Sequence, residues 1–274
     1  MTEVDNALLE RFEQEVWSKV PHLEEKDGET KVVNATPLVD ITEDFKECAK
    51  NVFKLNLDDA DLKVFGKFDS TLLTGSIKVR PAANIIHDAI VTGKLRSGQT
   101  VIEATSGNFG IALGLLSKLG LNVIALVSRK LQEGVFEELR NGNIRTMDLD
   151  MDICPAPGME GKQNLMVAKA TAANVRSQLS NFGFDTDIFD KEISEIESLL
   201  AKQDIINLAQ FLAKSYGFFC PAQYDNQLNI EAHRTVTAAE IDQQLHENGD
   251  SLENFSIFCT FGTCLLYTSP SPRD

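Results

Sequence analysis

The chain has 274 residues, 43% hydrophobic and 24% charged, the balance of a globular protein with two domains or one large α/β unit. Asp and Glu outnumber Lys and Arg by 41 to 26, and the resulting net charge of −15 repels phosphate backbones and anionic lipid, so neither nucleic acid nor a membrane is expected as a partner. Five cysteines (Cys48, Cys154, Cys220, Cys259 and Cys264) form no C-x-x-C pair, which favours reduced thiols in a cytoplasmic setting over zinc or disulfides. The N-terminus, MTEVD, lacks a basic-then-apolar signal pattern. The longest apolar runs, such as 111–116 and 123–127, fall far short of the roughly 20 residues needed to span a bilayer.

In chain order, Leu8, Leu9, Phe12, Val16 and Trp17 share one helical face, so 6–19 reads as an amphipathic helix that packs on the body or, alternatively, contacts a second copy. Residues 21–33 read as a charged linker. A β/α rhythm follows: a strand at 63–68, a helix over 78–92, a strand at 100–104, an apolar helix over 109–119, a strand at 122–127 and a helix over 135–140. Strands alternating with helices imply a parallel sheet covered on both faces.

Residues 150–202 interrupt that rhythm. Pro155, Pro157 and Gly158 make a loop, 165–179 is helical, and 185–197 is helical and acidic. The acidic spacing lacks the geometry of a calcium loop, so it reads as a solvated face rather than a cation site. This polar segment is expected to cover or flank an active-site mouth. The pattern resumes with a helix over 204–216, a short run at 218–220, a helix over 229–247 and a strand at 256–260. Residues 264–274 (CLLYTSPSPRD) carry no apolar period and resemble translated read-through, which implies a non-native tail and a missing C-terminal portion.

Four segments carry chemistry. In Thr74-Gly75-Ser76-Ile77-Lys78, the lysine stands at a helix start, where the dipole disfavours an ammonium; the bland alternative is a solvent-facing lysine. In Glu103-Ala104-Thr105-Ser106-Gly107-Asn108-Phe109-Gly110, a strand turns into a helix through small residues, a place where backbone N–H groups receive phosphate or carboxylate. Its glycine spacing does not match G-x-G-x-x-G, so dinucleotide binding is not expected. The third segment runs from Pro221 and Gln223 to Ala232-His233, and the fourth is the strand end with Gly262 and Thr263. The four histidines show no metal-ligand spacing, and no metal is expected; Cys220 lacks a basic neighbour that would activate it.

Taken in order, T-G-S-x-K, E-x-T-S-G-N-x-G and Q-x-x-N-x-x-N-x-x-A-H resemble the cysteine synthase and cystathionine β-synthase family of pyridoxal-phosphate enzymes, of tryptophan-synthase-β-like fold type II. Asn34-Ala35-Thr36-Pro37-Leu38 is similar to that family's opening N-T-P-L segment. The resemblance spans 34–150 and 204–263. It implies three-layer αβα domains: an extension at 1–33, an N-terminal domain over 34–223 with 150–202 as an insertion, and an incomplete C-terminal domain from 224 to 263. By the same resemblance, Lys78 holds pyridoxal phosphate covalently and Asn108 also faces the cofactor. Thr105, Ser106, Gly107, Asn108 and Gln223 contact the carboxylate of a small amino-acid substrate, and Gly262 and Thr263 begin the phosphate loop. The implied activity is β-replacement or β-elimination on a serine- or cysteine-like amino acid, by a homodimer when full-length. A dehydratase or threonine-synthase-like lyase stays open because Phe109 stands where a threonine is frequent, adding bulk beside Asn108. A catalytically silent binding protein of the same fold is the remaining alternative.

Overall fold

The computed structural model describes residues 3–128, 131–151 and 171–258. Helix α1 (Asn6–Glu15) starts under an Asp5 carboxylate that accepts from the Leu8 N–H at 3.0 Å, and it buries Leu8 and Phe12 completely. The expected linker is instead a hairpin of β1 (His22–Lys26) and β2 (Glu29–Val33). Asp27 and Gly28 turn it with φ of +56° and +80°, the left-handed pair that a two-residue hairpin turn demands. Most of its side chains face solvent, so its charge reflects exposure rather than disorder.

Strand β3 (Leu38–Asp40) pairs antiparallel with β4 (Phe65–Lys67), and α2 (Thr42–Phe53) lies between them in sequence. Helix α3 (Val79–Val91) buries nine residues, among them Ile85, Ile86 and Ile90. The central sheet is parallel, in the order β5 (Thr100–Thr105), β6 (Asn122–Ser128), β7 (Arg145–Met151), and it is connected by α4 (Asn108–Ser117) and α5 (Glu133–Asn141). Phe219 adds a parallel bridge on the free side of β5: its N–H donates to the Thr100 carbonyl, and its carbonyl accepts from Ile102, both at 2.9 Å.

Strand alternation sorts the core into two layers. Val101, Val123, Ala125 and Val127 face α1, α3 and α4. Ile102, Ala104, Ile124, Leu126, Met147 and Leu149 face α6 (Ala172–Asn181), α7 (Thr186–Lys191), α8 (Ile193–Ala201) and α9 (Ile205–Tyr216). The fold is therefore a three-layer αβα arrangement. It also corrects the expectation for 150–202: its described part, from 171 on, is the helical layer that seals one sheet face. Val175, Leu179, Phe189 and Ile196 are fully buried there, while acidic neighbours such as Asp190 point outward and pair with Arg176 at 2.7 Å. Residues 152–170, with the expected loop at Pro155–Gly158, lie outside the described residues.

Helix α10 (Gln227–Glu231) runs through a π-helical turn at Ala232–Thr237 into α11 (Ala238–Glu247), which together form the expected long helix. Residues 256–258 form no strand; the rest of that expected strand, Gly262, Thr263 and the segment 264–274 lie outside the described residues. No helix of the described residues is long and apolar enough to cross a membrane.

Candidate active site

The turn from β5 into α4 is built around glycine. Gly107 holds φ at +141°, which an L side chain adopts only under strain, and a Cβ on Gly110 would meet the Thr105 methyl at 2.7 Å. Thr105 is fully buried, and its hydroxyl accepts from the N–H groups of Gly107 at 3.2 Å and Gly110 at 3.1 Å. It thus holds the turn in shape from beneath, whereas Ser106 and Asn108 are exposed at the helix start. Phe109 lies in the core at 2% exposure, packed with α1 and α3. The anticipated bulk beside Asn108 is therefore absent, because helical geometry turns consecutive side chains to different faces.

Gln223 is buried, with its side-chain amide and both backbone polar groups hydrogen-bonded. Its Nε2 donates to the Ala104 carbonyl at 3.0 Å, its N–H to Glu103 Oε2 at 3.2 Å, and its carbonyl accepts from Asn229 Nδ2 at 2.7 Å. The turn that brings it there has Ala222 in the left-handed region at φ +51°. A cleft of about 260 Å³ opens beside the turn, lined by Gln223, Asn226, Asn229 and Ile230 among others; its lining includes neither Lys78 nor the 105–108 loop. Glu103 itself is 1% exposed, and burial pushes its carboxyl up to about 8 against the opposing backbone N–H groups of Gln223, Ala104 and Ala222. Burial, then the neighbouring Glu103, also raises the Cys220 thiol, so Cys220 is not an activated nucleophile.

Lys78 is half-buried at the N-terminal boundary of α3, with its N–H 3.3 Å from Ser76 Oγ. Two residues on, Arg80 anchors a buried cluster. Its guanidinium reaches Glu240 at 2.5 Å, Asp69 at 2.7 Å and the Thr36 hydroxyl at 3.1 Å. Lys67 completes the cluster with 2.6 Å contacts to Glu240 and to the Thr36 carbonyl. Two cations meet two carboxylates. Burial raises Glu240, but the Arg80 and Lys67 contacts outweigh it and hold Glu240 below the usual carboxylate range. Burial dominates at Lys67 and lowers it.

His233, in the π-helical turn, is 4% exposed; its Nδ1 lies 3.1 Å from Thr237 Oγ1 and its Nε2 has no hydrogen-bond partner among the described residues. Burial, then the charges of Arg80 and Lys78, push it down to about 4, so it is a neutral imidazole. Asn84 Nδ2 donates to the Leu228 carbonyl at 2.9 Å and ties α3 to α10.

Residues 49–269 match the sequence profile of the pyridoxal-phosphate dependent enzyme family, a match reaching into the segment 264–274. The chain belongs to that family. It is 35% identical over 104 residues to a cysteine synthase of Aquifex aeolicus, covering 38% of this chain and 29% of that protein. It is 24% identical over 229 residues to a cysteine synthase of Staphylococcus aureus, covering 84% and 54% respectively. Among solved structures, an O-ureido-L-serine synthase superposes with a TM-score of 0.45 at 25% identity, over 69% of this chain and 45% of the other. The chain thus spans about half the length, or less, of these relatives.

The residues at the start of α3 are compatible with the family cofactor. Lys78 begins a helix beside a buried imidazole whose orphaned Nε2 needs a partner. The phosphate end assigned to Gly262 and Thr263 lies outside the described residues. Among the described residues, no group of three or more His, Cys, Asp or Glu is placed to hold a metal. In the sequence, Glu103 stands within the second motif with no role attached to it, and His233 only closes the third segment. The signal available was a carboxylate in the middle of an otherwise apolar β5, where an unpaired charge is costly.

Proposed function

We propose that the protein acts on a serine- or cysteine-like amino acid by β-replacement or β-elimination, with pyridoxal phosphate carried on Lys78. The supporting observation is the hydrogen-bonded junction of two segments 120 residues apart, the 103–108 turn and Gln223, at the head of β5. When bound, pyridoxal phosphate supplies an electron sink for negative charge at the substrate Cα. Ser106 and Asn108 present polar groups at the start of α4, where helix N–H groups favour an anion, and so receive the substrate carboxylate. Thr105 and Gly107 shape that turn, and Gln223 lies behind it. Lys78 would hold the cofactor, and its Nζ, when free, would serve as the base for the substrate α-proton. His233 stays a neutral imidazole under the charges of Arg80 and Lys78.

Phe109 no longer favours a dehydratase, since it faces the core. The test is exchange of the α-proton of L-serine and L-cysteine in D₂O, followed by NMR with added pyridoxal phosphate. Exchange that disappears in Lys78→Ala supports the proposal; equal exchange in Lys78→Ala and the parent chain contradicts it.

A further inference from the structure

We propose that Glu103 is a positioning residue for the substrate carboxylate, its one carboxyl group fixing the start of α4 and the Gln223 turn relative to each other. The inference rests on the functional reading of Ser106, Asn108 and Gln223.

The geometry is specific to a carboxyl group. Oε1 accepts from the Ala104 N–H at 3.1 Å, on the strand that leads into the 105–108 turn. Oε2 accepts from the Gln223 N–H at 3.2 Å. The return contact, Gln223 Nε2 to the Ala104 carbonyl, closes the junction, and Asn229 holds the Gln223 carbonyl from the far side. Both carboxyl oxygens present acceptor lone pairs toward these N–H groups, whereas a glutamine would turn an NH₂ group toward one of them. The Gln223 N–H is aimed inward by Ala222, whose left-handed backbone costs about 1 kcal/mol at a non-glycine residue and persists where its surroundings hold it.

Stability alone gives no reason for the residue. A fully buried carboxyl is expensive to desolvate, and a neutral or apolar side chain of similar volume is often neutral or stabilising at such a place. What the carboxyl provides is a simultaneous hold on two distant segments, one carrying Ser106 and Asn108 and the other carrying Gln223 behind them. Ser106 and Asn108 follow Ala104 directly, so a loosened Ala104–Gln223 junction shifts the exposed polar groups by the fractions of an ångström that decide substrate orientation.

The test compares the 274-residue chain with Glu103→Gln, and with Glu103→Met as a second variant should the first not fold. Amide hydrogen exchange is expected to rise at least about tenfold, equivalent to about 1.4 kcal/mol, at 104–108 and at 222–226 together, while α1 and α6–α9 change less than about twofold. With pyridoxal phosphate added, the variant is expected to bind L-serine at least about tenfold more weakly, while ethanolamine, which lacks the carboxylate, binds unchanged. A purely structural strut would weaken both ligands together or raise exchange evenly through the chain, and either result overturns the proposal, as does an unchanged pair of segments. If the parent chain takes up pyridoxal phosphate yet ignores L-serine, the functional reading fails; the proposal of a carboxylate-positioning residue falls with it, and the exchange data then report only whether Glu103 joins the two segments.

Discussion

Two buried charged regions flank the start of the site, and they solve the cost of burial in opposite ways. Around Arg80, two cations and two carboxylates neutralise one another, and the Thr36 hydroxyl and carbonyl take up further contacts. Around Glu103, a single carboxyl has no countercharge in contact among the described residues and is held by backbone N–H groups. In the first arrangement the contacts from Arg80 and Lys67 outweigh burial and hold Glu240 below the usual carboxylate range. The second lets the group take up a proton instead. The difference separates a charge-balanced clamp beside Lys78 from a titrating joint under the β5–α4 turn.

The sharpest way to break this comparison is Arg80→Leu. It leaves Glu240 and Asp69 buried beside one remaining cation, Lys67, and should destabilise the fold by about 3–5 kcal/mol in urea unfolding. A loss under about 1 kcal/mol would show that the cluster is not charge-balanced as described. Glu103→Gln should move stability less at neutral pH and change its pH dependence more. The folded carboxyl binds its proton up to about 8 whereas the unfolded one releases it near 4.5, so the folded state holds the extra proton between those values. Stability from this group is full below about 4.5 and is lost as pH rises towards 8, an effect on the order of a few kcal/mol that the variant should remove.

His233 has the opposite sign. Its folded value of about 4 lies below the ordinary 6.5, so the unfolded state binds more protons between them. Stability from this group is present above 6.5 and is lost as pH falls through 4, and His233→Gln should flatten that acid limb. Between about 6.5 and 8 only the Glu103 slope of the two remains, so denaturant titrations across that range separate the two residues. The smallest expected effect is at Asp190→Asn, which breaks a solvent-exposed pair with Arg176; thermal unfolding in high salt should not distinguish it from the parent.

The legible parts of the fold were those buried on both sides. β5, α4 and β6 read correctly because parallel strands and an apolar helix leave continuous hydrophobic runs. β7 went unread: its polar residues alternate with Met147 and Leu149 at the sheet edge. The β1–β2 hairpin was hidden by its exposed charges, although Asp27-Gly28 was a usable turn signal. The helices from 171 to 201 were legible but their role as a core layer was not, since one buried face of Val175, Leu179, Phe189 and Ile196 is diluted by polar residues. At the site, local motifs marked the strand–helix turn and Lys78. They carried no information on which distant residue meets which: Arg80 finds its partners at 36, 69 and 240, and Glu103 finds Gln223, through tertiary packing alone.

The central claim is that the half-buried lysine at the start of α3 is the cofactor lysine. The most direct measurement is to incubate the chain with one equivalent of pyridoxal phosphate, reduce with borohydride and map the labelled peptide. The account predicts label concentrated on Lys78, lost in Lys78→Ala without transfer to another lysine. Label spread evenly over surface lysines, or unchanged in Lys78→Ala, would contradict it.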